Sequence, residues 1–262
     1  MAQFNVLETS SSNPPRPPST ARVTYLIARR AALEALRDRM TLVMSIFFAV
    51  VFPFFLVVGT VLPLANREMT PDHRAALVQI LAIYLLVIGL MPSTASVGIA
   101  AGQFAGEKEQ GNLTPILASP ASNLSIFAGK VLGSIVPATL FAVVAELTYL
   151  ASVTALTGSH TLRLLSPGLA VAMLALVPAT ALFAAIVASL ISSRVRTFNT
   201  AQQISGLALV PLWGVVIGFG YKLQDWGTFA VGAFVVGLFV VDLVLTLVAA
   251  NTWRREEVLS KQ

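Results

Sequence analysis

Six apolar stretches divide this sequence, and they leave it one kind of fold. They run over Leu42–Ala65, Ala75–Ala101, Val131–Leu156, Gly168–Ile191, Ile204–Gly220 and Thr228–Ala250. At 1.5 Å per residue, most are long enough as helices to cross about 30 Å of hydrocarbon. The fifth is short by this rule and is expected to extend or to be broken. Charged residues are 11% of the 262, against about 25% in soluble domains, so a water-soluble core is excluded. In lipid every backbone polar group must be satisfied within the segment. The expected class is therefore all-α: a polytopic membrane protein with six transmembrane helices.

Charge sets the orientation. Six arginines precede the first stretch, and Lys108, Lys130, Arg194, Arg196, Arg254, Arg255 and Lys261 fall on the same side, thirteen in all. Only Arg67, Arg74, Arg163 and Lys222 fall on the other. By the positive-inside rule the richer side is cytoplasmic, which puts both termini inside. The external loops are then short. The net charge of +5 reads as topology and not as an affinity for nucleic acid.

Residues 1–20, with Ser and Pro clustered, are expected to be a disordered cytoplasmic tail. Residues 21–41 have no Gly or Pro. On a helical wheel Arg22, Arg29, Arg30 and Arg37 share one half with Leu26 and Leu33, and Val23, Ile27, Ala31 and Ala35 take the other. That pattern predicts an amphipathic helix in the headgroup layer; a plain extension of the first span is the alternative. Thr70-Pro71 and Ser166-Pro167 each place a capping hydroxyl before a proline at the first helical position. Pro53, Pro92, Pro137, Pro178 and Pro211 lie inside spans and predict kinks.

Chemistry is sparse. No cysteine is present and the two histidines, His73 and His160, are isolated, so no metal site or catalytic set is expected. Gly129-Lys130 lacks the spacing of a phosphate-binding loop. Two acids fall within spans, Glu146 and Asp242, each with a cost near the bilayer centre of about 2.5–3.5 kcal/mol. They are a candidate intramembrane polar site; the alternative is a protonated acid bonded to a neighbouring helix. Gly214 and Gly218 are spaced for close helix approach, across a dimer or within one subunit.

The longest polar interruption, Phe104 to Lys130, carries Glu107, Glu109, Gly111, a short apolar piece from Leu113 to Leu117, and Pro120. Glu107-Lys-Glu109-Gln-Gly111-Asn-Leu113, then Ala118-Ser-Pro120 and Gly129-Lys130, resemble the first cytoplasmic loop of type-2 ABC exporter permeases. Asn112 stands where Thr is usual there, and Thr114-Pro115 where a Glu is common. Ser192-Ser-Arg194-Val-Arg196 through Ala201-Gln-Gln203 and Gly206 agree with the same family. So do Leu36-Arg-Asp-Arg39 and Arg255-Glu256-Glu257-Val-Leu259. The resemblance runs from about Arg22 to Leu259.

It implies a six-span transmembrane domain over 42–259 in the plasma (inner) membrane of a prokaryote. This would be the permease of an ATP-driven exporter and not an enzyme by itself. The N-terminal amphipathic helix would be its connector. A second permease subunit, an identical chain, and two copies of a separate ATPase subunit, holding ATP and Mg, would be its partners, beside membrane lipid. A coupling helix within Glu107–Pro120 would dock on the ATPase through Leu113, Ile116 and Leu117, with Glu107 and Glu109 orienting the loop. The first and fifth spans would meet across the dimer, near Gly214 and Gly218. The competing expectation is a secondary carrier driven by an ion gradient through Glu146 and Asp242.

Overall fold

The computed structural model describes residues 19–111, 119 and 121–252. No strand occurs among them, and six helices are long and apolar enough to cross a membrane. They are Arg39–Ala65, Pro71–Glu109, Asn123–Thr157, Pro167–Arg194, Phe198–Gly218 and Phe229–Ala249. The number is the expected one. The ends differ, because polar turns at the membrane boundary keep helical backbone where hydropathy alone stops. The third span starts at Asn123, eight residues before the expected Val131. Its cap is Ser122, whose hydroxyl accepts from the Ser125 amide at 3.1 Å.

A helix at Thr20–Arg37 precedes the spans, capped by Ser19. One residue turns it into the first span. Asp38 is extended (φ −70°, ψ 115°); its amide donates to the Glu34 carbonyl at 3.2 Å, and its carboxylate accepts from the Thr41 amide at 2.8 Å. The Thr41 hydroxyl and amide hold the Asp38 carboxyl below its ordinary pKa. Arg22, Leu26, Arg29, Arg30, Leu33 and Arg37 are exposed, while Ala31 and Ala32 are buried. The buried face lies on the start of the third span. A methyl added at Gly129 would stand 2.8 Å from Ile27 Cβ and 3.0 Å from the Thr24 carbonyl oxygen. One added at Gly133 would stand 2.9 Å from the Ala28 carbonyl and would overlap Ala31. Glycines four apart thus let two backbones nearly touch.

The first span is not a plain α-helix. Wide π turns at Phe47–Val51 and Val57–Val61 immediately precede the helical turns that carry Pro53 and Pro63. A proline ring collides with the carbonyl four residues back and leaves it without a donor. Those carbonyls belong to Ala49 and Gly59, and a wider turn separates the groups. At Pro137, Pro178 and Pro211 the helical assignment continues without interruption.

Of the two expected proline starts, Pro71 and Pro167 both occupy the first turn. Thr70 caps the first, accepting from the His73 amide at 3.3 Å. Ser166 makes no side-chain cap bond, so only its extended backbone and Pro167 set that start. A short helix, Ser159–Leu162, follows Gly158, whose φ of 87° turns the chain between the third and fourth spans.

The fourth span is central, packing against the second, the third and the last two. Helical backbone covers Phe198–Thr252, and within it the fifth and sixth spans, expected as separate helices, occupy Phe198–Gly218 and Phe229–Ala249. The spans nevertheless run in opposite directions. Leu209 and Ala249 both join the apolar cluster of the loop end, with Val97, Phe104 and Phe127. Val216, Val231 and Val235 join the cluster of the far end, with Leu77, Leu81 and Val153. A straight helix would hold Leu209 and Ala249 about 60 Å apart, so the chain doubles back between the two spans. Large apolar side chains remain exposed along the first span, such as Phe47, Phe54 and Phe55, and along the fifth, such as Leu207 and Val210.

Candidate functional site

The polar groups of this chain concentrate where the second span leaves the apolar layer. At Gly102–Gly106 its helix widens into a third π turn. In an α-helix the Ala105 amide would bond the Ala101 carbonyl. Here Ser192, from the end of the fourth span, stands between them. Its hydroxyl accepts from the Ala105 amide at 2.8 Å and donates to the Ala101 carbonyl at 2.8 Å. A side chain inserted into the ladder accounts for the widened turn, and both backbone groups stay satisfied.

The next three residues each grip a different helix. Glu107 forms an ion pair with Lys130 of the third span at 2.5 Å. Lys130 is 1% exposed; it also donates to the Gln103 carbonyl, and its ammonium lies 4.7 Å above the Phe104 ring. Lys108 donates to the carbonyls of Ser193 and Val195, 3.3 Å each, at the C-terminal end of the fourth span. A cation there complements the free carbonyls and the negative end of the helix dipole. Glu109 accepts from the Phe198 amide at 3.0 Å, at the first residue of the fifth span. A carboxylate on a helix N-terminus is the matching favourable contact. The segment Glu107–Glu109 therefore binds the start of the third span, the end of the fourth and the start of the fifth.

Among the sequence-predicted loop residues, Glu107 and Glu109 occupy these joints. Gly111 is exposed and has φ 72°, the left-handed region that suits a residue without Cβ. Leu113, Ile116, Leu117 and Pro120, and with them the expected coupling helix, lie outside the described residues. Lys108, Lys130 and Ser192 were not singled out as site residues by sequence. Their signal is faint, since each is an ordinary polar residue until its partner, far off in the chain, is known.

The two intramembrane acids are both buried. Glu146 is 1% exposed and Asp242 0%. Neither carboxylate has a hydrogen-bond partner among the described residues, on its own or a neighbouring helix. Glu146 presses against Gly89, where any Cβ would collide with it, in a tight pocket with Met173, Leu176, Val177 and Thr180. Asp242 does not line that pocket. Gly214 and Gly218 are exposed, with nothing within 4 Å of a Cβ added at either. Among the described residues of this subunit nothing packs closely on either. The closely packed glycine pair is Gly129 and Gly133, which sequence reading passed over.

Among curated proteins none matches this sequence. The family model described as ABC-2 type transporter matches residues 22–229, from the N-terminal helix into the start of the sixth span. That assignment does not favour the ion-gradient carrier. Six apolar helices make the protein a multi-pass membrane protein. The match covers most of the chain, which therefore belongs to the ABC-2 type transporter family, as a membrane permease component of a kind that typically works with an ATPase subunit.

Proposed function

We propose that this permease is the transmembrane half of an ATP-driven exporter, pairing with a second permease subunit and with two separate ATPase subunits that bind ATP and Mg. Its cargo leaves from the cytoplasm or the inner leaflet. The protein sits in the inner membrane of a prokaryote with both termini in the cytoplasm. The N-terminal helix is its connector along the membrane surface, and the segment after Glu109 is the part gripped by the ATPase.

One observation carries this reading: three consecutive residues, Glu107, Lys108 and Glu109, are bonded to the ends of three different spans. A push on the loop that follows reaches all three helix ends through charged contacts. A passive connector has no need of such joints. Rigid elements joined at few points can then rock between two arrangements and alternate access. The outward-facing Gly214 and Gly218 fit a close contact with the second permease subunit.

The test is a pull-down of the permease from its native membrane, with and without Leu113→Asp and Leu117→Asp. The parent should bring down a stoichiometric ATPase chain whose turnover vanadate inhibits. The double variant should insert normally and lose that chain. Retained association would refute docking through this segment, and the absence of any ATPase from the parent would refute the exporter reading.

A further inference from the structure

A cavity of about 740 Å³ opens between the N-terminal helix, the beginning of the first span, the loop end of the second span and the start of the fifth. Its volume suits a drug-sized molecule. One wall is apolar and soft, formed by Met40, Met44, Phe48, Met91 and Phe141. The chain has six methionines, and three of them are in this wall. Unbranched thioether side chains repack around different shapes, a property of surfaces that accept many ligands.

The polar part of the lining has one sign. Glu34, Asp38 and Glu107 reach the cavity, and among the described residues no lysine or arginine lines it. Glu34 is paired with Arg30 at 2.7 Å and Glu107 with Lys130. Asp38 has no cationic partner among the described residues; it caps the first span, and its hydrogen bonds from Thr41 favour the ionised form. Gln103 is 8% exposed and lines the cavity, yet among the described residues both its side-chain Oε1 and Nε2 lack a partner. A buried amide with no bond has lost its water without a replacement, and a ligand's polar groups would supply one.

We infer that this cavity is the cytoplasmic-side intake site for a monovalent amphiphilic cation. Its apolar body rests on the methionine and phenylalanine wall, its charge faces Asp38, and its polar substituents bond Gln103. The inference rests on the exporter reading for the direction of movement, but not for binding itself.

The experiment uses the full chain in phosphatidylcholine nanodiscs and the fluorescence anisotropy of rhodamine 6G. Fluorescein, an anion of similar shape, is the comparison. Rhodamine 6G should bind saturably and fluorescein should not. Asp38→Asn keeps the helix cap, because Asn caps as well as Asp, and removes only the charge. Gln103→Leu removes only the amide. Each should weaken rhodamine binding about 5- to 10-fold, the equivalent of about 1–1.4 kcal/mol. Affinities within twofold of the parent in both variants would overturn the inference, as would equal binding of the anion. The chain has no cysteine, so Met44→Cys gives a unique thiol. Its efficient cross-linking to the same position of a second copy would make the cavity a subunit interface and overturn the inference too. A chain that captures an ATPase but binds no rhodamine refutes the intake site alone. One that binds rhodamine but captures no ATPase refutes the exporter reading alone.

Discussion

Replacing Lys130 with Met removes the ammonium on which the loop entrance converges, while filling most of its space. The ammonium is buried, with contacts to Glu107, the Gln103 carbonyl and the face of Phe104. Breaking a buried ion pair from one side costs about 3–5 kcal/mol, mostly because the surviving charge is stranded. The Glu107 side chain keeps 20% of its surface exposed, so water relieves part of that cost and the lower figure applies. Met still packs on Phe104 through its sulfur, which keeps the cavity term small. A loss of about 3 kcal/mol corresponds to a fall in Tm of roughly 6–12 °C for a chain of this size. The assay is thermal unfolding in detergent, read by size-exclusion fluorescence, for Lys130→Met, Glu107→Gln and the double variant. The double variant strands no charge and should be more stable than Lys130→Met by at least half of that loss, about 1.5–3 kcal/mol. A double variant no more stable than Lys130→Met, or a Lys130→Met protein within a degree of the parent, would refute the reasoning.

Three further outcomes follow from the geometry. Ser192→Ala leaves the Ala105 amide and the Ala101 carbonyl without their inserted partner; about 2 kcal/mol should be lost, and amide exchange across 102–109 should quicken, whereas unchanged exchange would disprove the role of the hydroxyl. Gly133→Leu forces the N-terminal helix off the third span, so trypsin should cut at the exposed Arg22, Arg29 and Arg30 several-fold faster; cleavage at the parental rate would mean the close approach is dispensable. Glu146→Leu replaces a buried, unpartnered carboxyl with an apolar side chain of similar size and should raise Tm by a few degrees with transport retained. A stable variant that has lost transport would show instead that the carboxyl works in the cycle.

Much of the scaffold was legible in the letters because hydropathy is a local property. Each span is a run of neighbours, and the lipid-crossing length follows from counting. The Glu107–Glu109 segment was legible as a place of interest, since charge inside so apolar a chain demands a reason. Its wiring was not. Lys108 meets Ser193 and Val195 some 85 residues away, and Glu109 meets Phe198 at a similar separation. Nothing local to either sequence names the other. The glycines show the same limit from the opposite side. Gly214 and Gly218 have the same spacing as Gly129 and Gly133, yet only the second pair has backbone lying across it. Spacing states that close approach is permitted, and only the fold decides where it happens.

The wide turns before Pro53 and Pro63 bear on how this chain can change length. A π turn holds one residue more than the α turn it replaces. Deleting one residue within Phe47–Val51 or Val57–Val61 would tighten that turn and leave the faces on either side in phase, provided the nearby proline were lost in the same step. A deletion anywhere else in the span would rotate everything beyond it by about 100°, carrying buried Val57 and Val61 out toward lipid. In related chains, single-residue gaps in this helix should therefore fall at these two turns and coincide with the absence of the corresponding proline.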